Sequence, residues 1–227
     1  MEPSKHYFTK AVCVLDTCSI INLDDIQLAR NDVLYYMRCF FDVRVCGTIR
    51  EELQRHKDRV TSREASYWNS FLSSATYNPI VLTDDSTVVG PFYSNIPASF
   101  DGSDDAGERG NARVALELLI TRTAGHAIFV TDDEKACNAF LQTLRRSFPG
   151  VHIWNSADVI LHLGSVLLKE KKTSYENIRD ALRDVYASSA KKWQQINDKE
   201  KSTIIKNQNN SVNSLRLLKK VVDHWRN

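Results

Sequence analysis

Four short apolar runs, separated by stretches with helical spacing, set the strongest limit on what this chain can become. They are AVCVL (11 to 15), DVRVCG (42 to 47), AIFVT (127 to 131) and VHIW (151 to 154). Their near-continuous apolarity lacks the alternation of a half-solvated sheet, so they read as central strands of a parallel sheet. Between them, NARVALELLI places Ala112, Ala115, Leu116 and Leu119 on one helical face, and EKACNAFLQTLRR places Ala136, Phe140 and Leu144 on another. Strand and helix alternate, which predicts an α/β sandwich with right-handed crossovers.

With 227 residues and 42% hydrophobic content, the chain can bury a full core as one domain or one domain with an attachment. MEPSKHYFTK has no apolar h-region and AVCVL is too short to cross a bilayer, so a cytoplasmic protein with no membrane contact is expected. The five cysteines (13, 18, 39, 46 and 137) are odd in number and show no C-x-x-C spacing, which favours reduced thiols. There is no H-E-x-x-H, G-x-S-x-G or G-x-x-x-x-G-K, so zincin, serine hydrolase and P-loop chemistry lack their residues.

The formal net charge of +2 is divided along the chain. Residues 165 to 227 carry 14 Lys and Arg against 7 Asp and Glu, or +7, which leaves −5 for residues 1 to 164. A body over 1 to 164 and a basic helical extension over 165 to 227 are therefore expected. Tyr175, Ile178, Leu182, Val185, Tyr186 and Trp193 line one amphipathic helix of that extension, and Leu215, Leu218, Val222 and Trp225 line a second. The basic charge fits a polyanion or an acidic partner as well as it fits simple solubility, and the apolar stripes fit either packing on the body or a partner protein. The Asp, Ser, Gly and Pro-rich segment from Thr83 to Gly107 is too long for a plain connection.

AIFVTDDEKA (127 to 136) ends an apolar run in three acids, Asp132, Asp133 and Glu134, where one would cap a following helix. In an open parallel sheet, ligands gather beyond the carboxyl ends of the strands. Asp16 follows AVCVL, and Asp132 and Asp133 follow AIFVT, so all three belong to that edge. Glu51 and Glu52 follow the second run in TIREELQRH, with Glu52 the inward-facing choice beside Leu53, and Glu108 opens the NARVALELL helix. Each acid alone has an ordinary explanation: Asp16 as a helix cap, Glu108 as a carboxylate favoured at a helix N-terminus. Together they would repel one another unless a cation neutralised them. Oxygen ligands without His or Cys point to Mg²⁺ or Mn²⁺, and so to metal-assisted phosphodiester hydrolysis.

At these positions the sequence resembles the PIN domain nucleases, which include VapC-type toxins of toxin–antitoxin systems and many RNA-processing enzymes. VLDTCSIINL (14 to 23) looks like the opening motif with Asp16, Thr17 and Asn22; GTIREEL (47 to 53) is similar to the second with Glu52; DAGERGNARVALEL (105 to 118) to the third with Glu108 and Asp105; FVTDDEKA (129 to 136) to the fourth with Asp133 beside Asp132. The match runs over about residues 10 to 155 in family order. The resemblance implies a Rossmann-like three-layer α/β/α sandwich with a mostly parallel sheet, and a metal-dependent endoribonuclease activity, often in a homodimer. Asp16, Glu52, Glu108 and Asp133 are then the catalytic carboxylates, with Asp132 and Asp105 as further metal ligands. Thr17, Asn22 and Thr131 would orient them, and Arg50, Arg55, Arg109, Arg113 and Lys135 would meet RNA phosphates. The competing expectation is a silent PIN-like module that holds RNA or a protein through the basic tail.

Overall fold

The computed structural model of the protein describes residues 11–55, 65–76, 106–120, 124–133, 142–192, 210–211 and 213–217. Within them lie four strands, β1 (Val12–Leu15), β2 (Asp42–Arg44), β3 (Ala127–Val130) and β4 (Val151–Trp154). The helices are α1 (Thr17–Leu23), α2 (Val33–Phe40), α3 (Gly47–Arg55), α4 (Ala65–Ala75), α5 (Ala106–Ile120), α6 (Gln142–Ser147), α7 (Ser156–Lys169) and α8 (Tyr175–Lys192). The chain is an α/β protein whose four strands form one parallel sheet in the order β2-β1-β3-β4.

The four apolar runs become strands, but not four equivalent ones. β1 and β3 pair on both sides and are buried along their whole length. β2 and β4 flank them and bury only alternate or terminal positions, so these two are not central among the described strands. The second run also stops early as a strand: after Arg44, Val45 makes a single parallel bridge to Thr76, and Gly47 already begins α3.

Strand order places a switch at the centre of the sheet. From β1 the chain crosses to β2 on one side, and the next strand among the described residues, β3, lies on the other side of β1. Successive connections leaving in opposite directions open a crevice at the carboxyl ends of β1 and β3. The acids after these two strands sit at that crevice.

The helices are fixed by caps at their starts and by apolar faces against the sheet. Asp16 and Asp32 accept backbone N–H groups from Ser19 and Tyr35, capping α1 and α2. Asn155 and Asp158 form a reciprocal capping box at α7. α5 packs on β1 and α3, with Asn111, Ala112, Val114, Ala115 and Leu116 buried. Leu144 of α6 is buried as the helical spacing predicts, while Ala136 and Phe140 lie outside the described residues.

Gly164, where the composition changes, lies inside α7. A Cβ there would stand 2.8 Å from Ile178 Cγ1, so α8 seats Ile178 directly on the α7 backbone. Ile178, Leu182 and Val185 are buried, and α8 packs on α1 as well as α7. The Tyr186 and Ser211 hydroxyls meet at 2.8 Å, and Leu215 is buried, which draws residues 210–211 and 213–217 onto the same body. The described part of the predicted stripe of the first tail helix, Tyr175 to Tyr186, therefore packs on the protein's own core. Trp193, Val222 and Trp225 lie outside the described residues. Among the described residues, no helix is long and apolar enough to cross a membrane.

Candidate functional site

The parallel register sets the strand ends level. Leu15 pairs with Val130 and Val130 with Trp154, so Asp16 and Thr131 are the next residues out on neighbouring central strands. The Asp16 N–H donates to the Val130 carbonyl at 3.1 Å, and the Thr131 N–H donates to that of Trp154 at 2.9 Å, which extends the ladder to the rim.

Asp16 does two things at once. Its Oδ1 accepts the Ser19 N–H at 2.6 Å, capping α1. Capping uses one oxygen; Oδ2 is buried with no hydrogen-bond partner, in a side chain only 5% exposed. A carboxylate in that position is only partly compensated for its lost water. Burial, and after it the charge of Asp132, push the Asp16 pKa up to about 7, against the opposing pull of the Thr131 hydroxyl and of Ser19. Capping and the nearby Thr131 and Ser19 hydroxyls therefore offset the burial of this carboxylate only in part.

Asp132 is the opposite case. Its Oδ1 accepts the Ser156 N–H at 2.9 Å, and its Oδ2 accepts both the Asn22 amide at 2.8 Å and the Ser156 hydroxyl at 2.5 Å. Ser156 is the first residue of α7, so the carboxylate also sits at the positive end of that helix. Next to it, the Asp133 N–H donates to the Thr131 hydroxyl at 3.0 Å, which turns the chain sharply after β3.

Glu52 and Glu108 arrive on α3 and α5. Glu51 is exposed, while Glu52 is half-buried and accepts the Thr17 hydroxyl at 2.5 Å, linking α3 to the start of α1. A Cβ on Gly107 would lie 3.2 Å from Glu52 Oε1, so Glu52 rests against the first turn of α5, the turn that carries half-buried Glu108. A side chain there would make Ile49 and Glu52 shift. Gly110 has the same role one turn on, where an added Cβ would meet Cys46 Sγ at 2.5 Å.

Asn111 locks this corner. Its amide donates to the Leu15 carbonyl at 2.8 Å, and its Oδ1 accepts the Cys46 N–H at 3.1 Å, joining α5 to the end of β1 and the approach to α3. Neither Asn111 nor Ser156 stands out in the sequence as a functional residue. The available signals were the N-S-A-D capping pattern after VHIW and a polar residue inside an otherwise apolar helical face.

The acids share one neighbourhood. The Cys18 thiol, on the first turn of α1, is held well above its usual pKa first by burial and then by the charges of Asp16, Asp133, Asp132 and Glu108. The charges of these four acids are thus felt at one thiol, while Glu52 is tied to the start of α1 through Thr17 and to the first turn of α5 through Gly107. Arg109 and Arg113 are half-buried on α5, and Arg50 and Arg55 are exposed on α3. Asp105 and Lys135 lie outside the described residues.

Oxygen donors at the ends of β1 and β3, Asp16 Oδ2 among them, are of the type that suits a hard divalent cation. Among the described residues, no three His, Cys, Asp or Glu side chains stand in a ready-made cage. Carboxylates close to one another repel and raise one another's pKa in the absence of a neutralising charge. Comparison with known proteins gives no match: no protein-family model, no curated protein and no solved structure is similar to the chain.

Proposed function

We propose that this protein is a metal-dependent ribonuclease of the PIN domain type, with that family's Rossmann-like three-layer sandwich and an endonucleolytic mode. The single observation that carries the reading is Asp16 Oδ2, buried and without a partner at the switch point of a parallel sheet, beside three further acids. A fold retains such a costly group when something outside the chain completes it.

In this reading Asp16, Glu52, Glu108 and Asp133 hold Mg²⁺ or Mn²⁺, and Asp132 braces the rim. A bound cation would supply the activated water and the positive charge that phosphodiester hydrolysis requires. The chain's own residues set the stage. Thr17 holds the Glu52 carboxylate in one orientation, and Asn22 and Ser156 fix Asp132 between β3 and α7. Asn111 keeps the α5 turn that carries Glu108 against the end of β1. Arg50, Arg109 and Arg113 offer cations for a phosphate backbone, and RNA is favoured over DNA by the resemblance alone.

The test is cleavage of labelled single-stranded and structured RNAs with Mg²⁺, with Mn²⁺ and with EDTA, comparing the wild type with Asp16→Asn. The expected result is cutting that needs the cation and disappears in the variant while the fold is retained. RNA binding by both proteins without cutting under any cation would replace this reading with that of a silent RNA-binding module.

A further inference from the structure

The body and the extension carry opposite charge. Residues 1 to 164 sum to −5 and residues 165 to 227 to +7. Acids at the ends of β1 and β3 repel a phosphate chain, so a polyanion that reaches them has to be held by cations close by. The extension is where the surplus of cations lies.

The α7–α8 hairpin brings one end of the extension to the rim. The two helices pack on each other and are joined by a tight turn, in which the Lys172 N–H donates to the Leu167 carbonyl at 2.8 Å, so they run antiparallel. Gly164 of α7 faces Ile178 of α8. Ser156 lies eight residues before the first and Tyr186 eight after the second, so at equal rise per residue the two are level. Ser156 is the residue that holds Asp132. Tyr186 therefore stands at the rim end of the hairpin, and its phenol is pushed above its usual pKa by burial and then by the charges of Asp132 and Asp158, against the pull of the Ser211 hydroxyl.

The 2.8 Å contact between the Tyr186 and Ser211 hydroxyls fixes the next segment at this end. Ser211 and Leu215, one helical turn apart, are buried, while Arg216 is exposed. Arg183, three residues before Tyr186, is exposed too, and its 3.9 Å contact with Asp180 is too loose to withhold it from a phosphate. We propose that this end of the extension is the RNA-binding wall of the carboxylate rim: Arg183 and Arg216 take phosphates of the strand, and the Tyr186–Ser211 pair seats the segment that carries Arg216. This rests on the reading of the rim as a ribonuclease site. Tyr186 and Ser211 are positioning residues, since they act through the segment they join.

Binding of a labelled single-stranded RNA by the full-length protein is measured by fluorescence anisotropy in EDTA over a range of salt, with cleavage and Mn²⁺ binding followed separately. Arg183→Gln combined with Arg216→Gln should weaken RNA binding about tenfold at physiological salt, make the slope of log affinity on log salt shallower by about 1.4, and leave Mn²⁺ affinity unchanged. Tyr186→Phe keeps the ring and loses only the hydroxyl. It should weaken RNA binding about threefold alone and by nothing further when Arg216 is already Gln, because seat and cation act as one unit. Lys172→Gln, at the far end of the hairpin, should bind RNA as the wild type does. An unchanged affinity and salt slope in the double arginine variant, or an equal loss in Lys172→Gln, would overturn the wall and leave the cation site standing. A lower melting temperature in Tyr186→Phe with unchanged RNA binding would overturn the seating role. If the wild type cuts no RNA with Mg²⁺ or Mn²⁺, the ribonuclease reading falls, and the binding assay still decides the wall: weakening by the arginine substitutions upholds it, and no RNA binding at all overturns it.

Discussion

At the α7–α8 contact, Ile178 rests against the backbone of Gly164, Leu182 and Val185 are buried beside it, and the nearby Tyr186 hydroxyl meets Ser211. At the carboxyl ends of β1 and β3, equally deep burial has been given to a carboxylate with one bare oxygen. Both regions exclude water. In the first, exclusion stabilises the fold through apolar area and close packing. In the second it costs stability, and the cost falls where four acids share a neighbourhood. One part of the molecule holds the fold together; the other departs from what folding alone would select.

Substitutions that exchange the character of the two regions test that contrast. The largest effect belongs to the packed side. Leu182→Ala should destabilise by about 2–5 kcal/mol through the cavity it leaves, measured by urea unfolding, with unchanged cation affinity per folded molecule. A loss under about 1 kcal/mol would mean that α8 is not part of the cooperative core.

Asp16→Asn should act in the opposite direction. The folded Asp16 pKa is about 7 and its ordinary value is 3.8, so between those values the folded state holds a proton that the unfolded chain releases. Cation-free wild type therefore loses stability as pH rises from about 4 to about 7, by at most roughly 4 kcal/mol, and stays level above. Asn caps a helix as well as Asp and has no such titration. In EDTA the variant should match the wild type near pH 4 and unfold at higher temperature near pH 8. Equal melting at both pH values would show that the buried carboxylate carries no penalty.

Ser156→Ala removes a hydroxyl from Asp132 and leaves the backbone and Asn22 contacts in place. The expected change is a drop of about 10–100-fold in RNA cleavage or cation affinity, with about 1 kcal/mol lost in stability. A stability loss without any change at the site would reduce Asp132 to a helix cap. The smallest effect is expected at the other end of the sheet, where His126 and His152, both exposed, share a 3.2 Å nitrogen contact. His126→Ala should change stability by no more than about 0.5 kcal/mol and leave cleavage untouched.

The sequence made β1 and β3 and the acids at their ends legible for a physical reason. A strand buried on both sides must be continuously apolar, so the first polar residue marks its end. The choice of Glu52 over Glu51 followed from the same kind of pattern, since the neighbour of a buried Leu53 on a helix can be read for direction. The apolar runs of β2 and β4 gave no warning that these strands lie outside the central pair, because the helices beside them in sequence, α2 at β2 and α6 and α7 at β4, cover apolar positions there too. Asn111 and Ser156 were illegible as site residues, since their roles depend on hydrogen bonds to Leu15, Cys46 and Asp132, 20 or more positions away. Gly107 and Gly110 carry no local turn signal; the first faces Ile49 and Glu52 of α3, the second Cys46 just before it.

The central claim is that a cation completes the rim at Asp16. The most direct measurement is Mn²⁺ binding by the full-length protein, followed by electron paramagnetic resonance, for wild type and Asp16→Asn with Mg²⁺ as competitor. The account predicts Mn²⁺ bound by the wild type, displaced by Mg²⁺, and lost or weakened by at least about tenfold in the variant, whose fold is intact. Equal Mn²⁺ binding by the two proteins, or none by either, would contradict it.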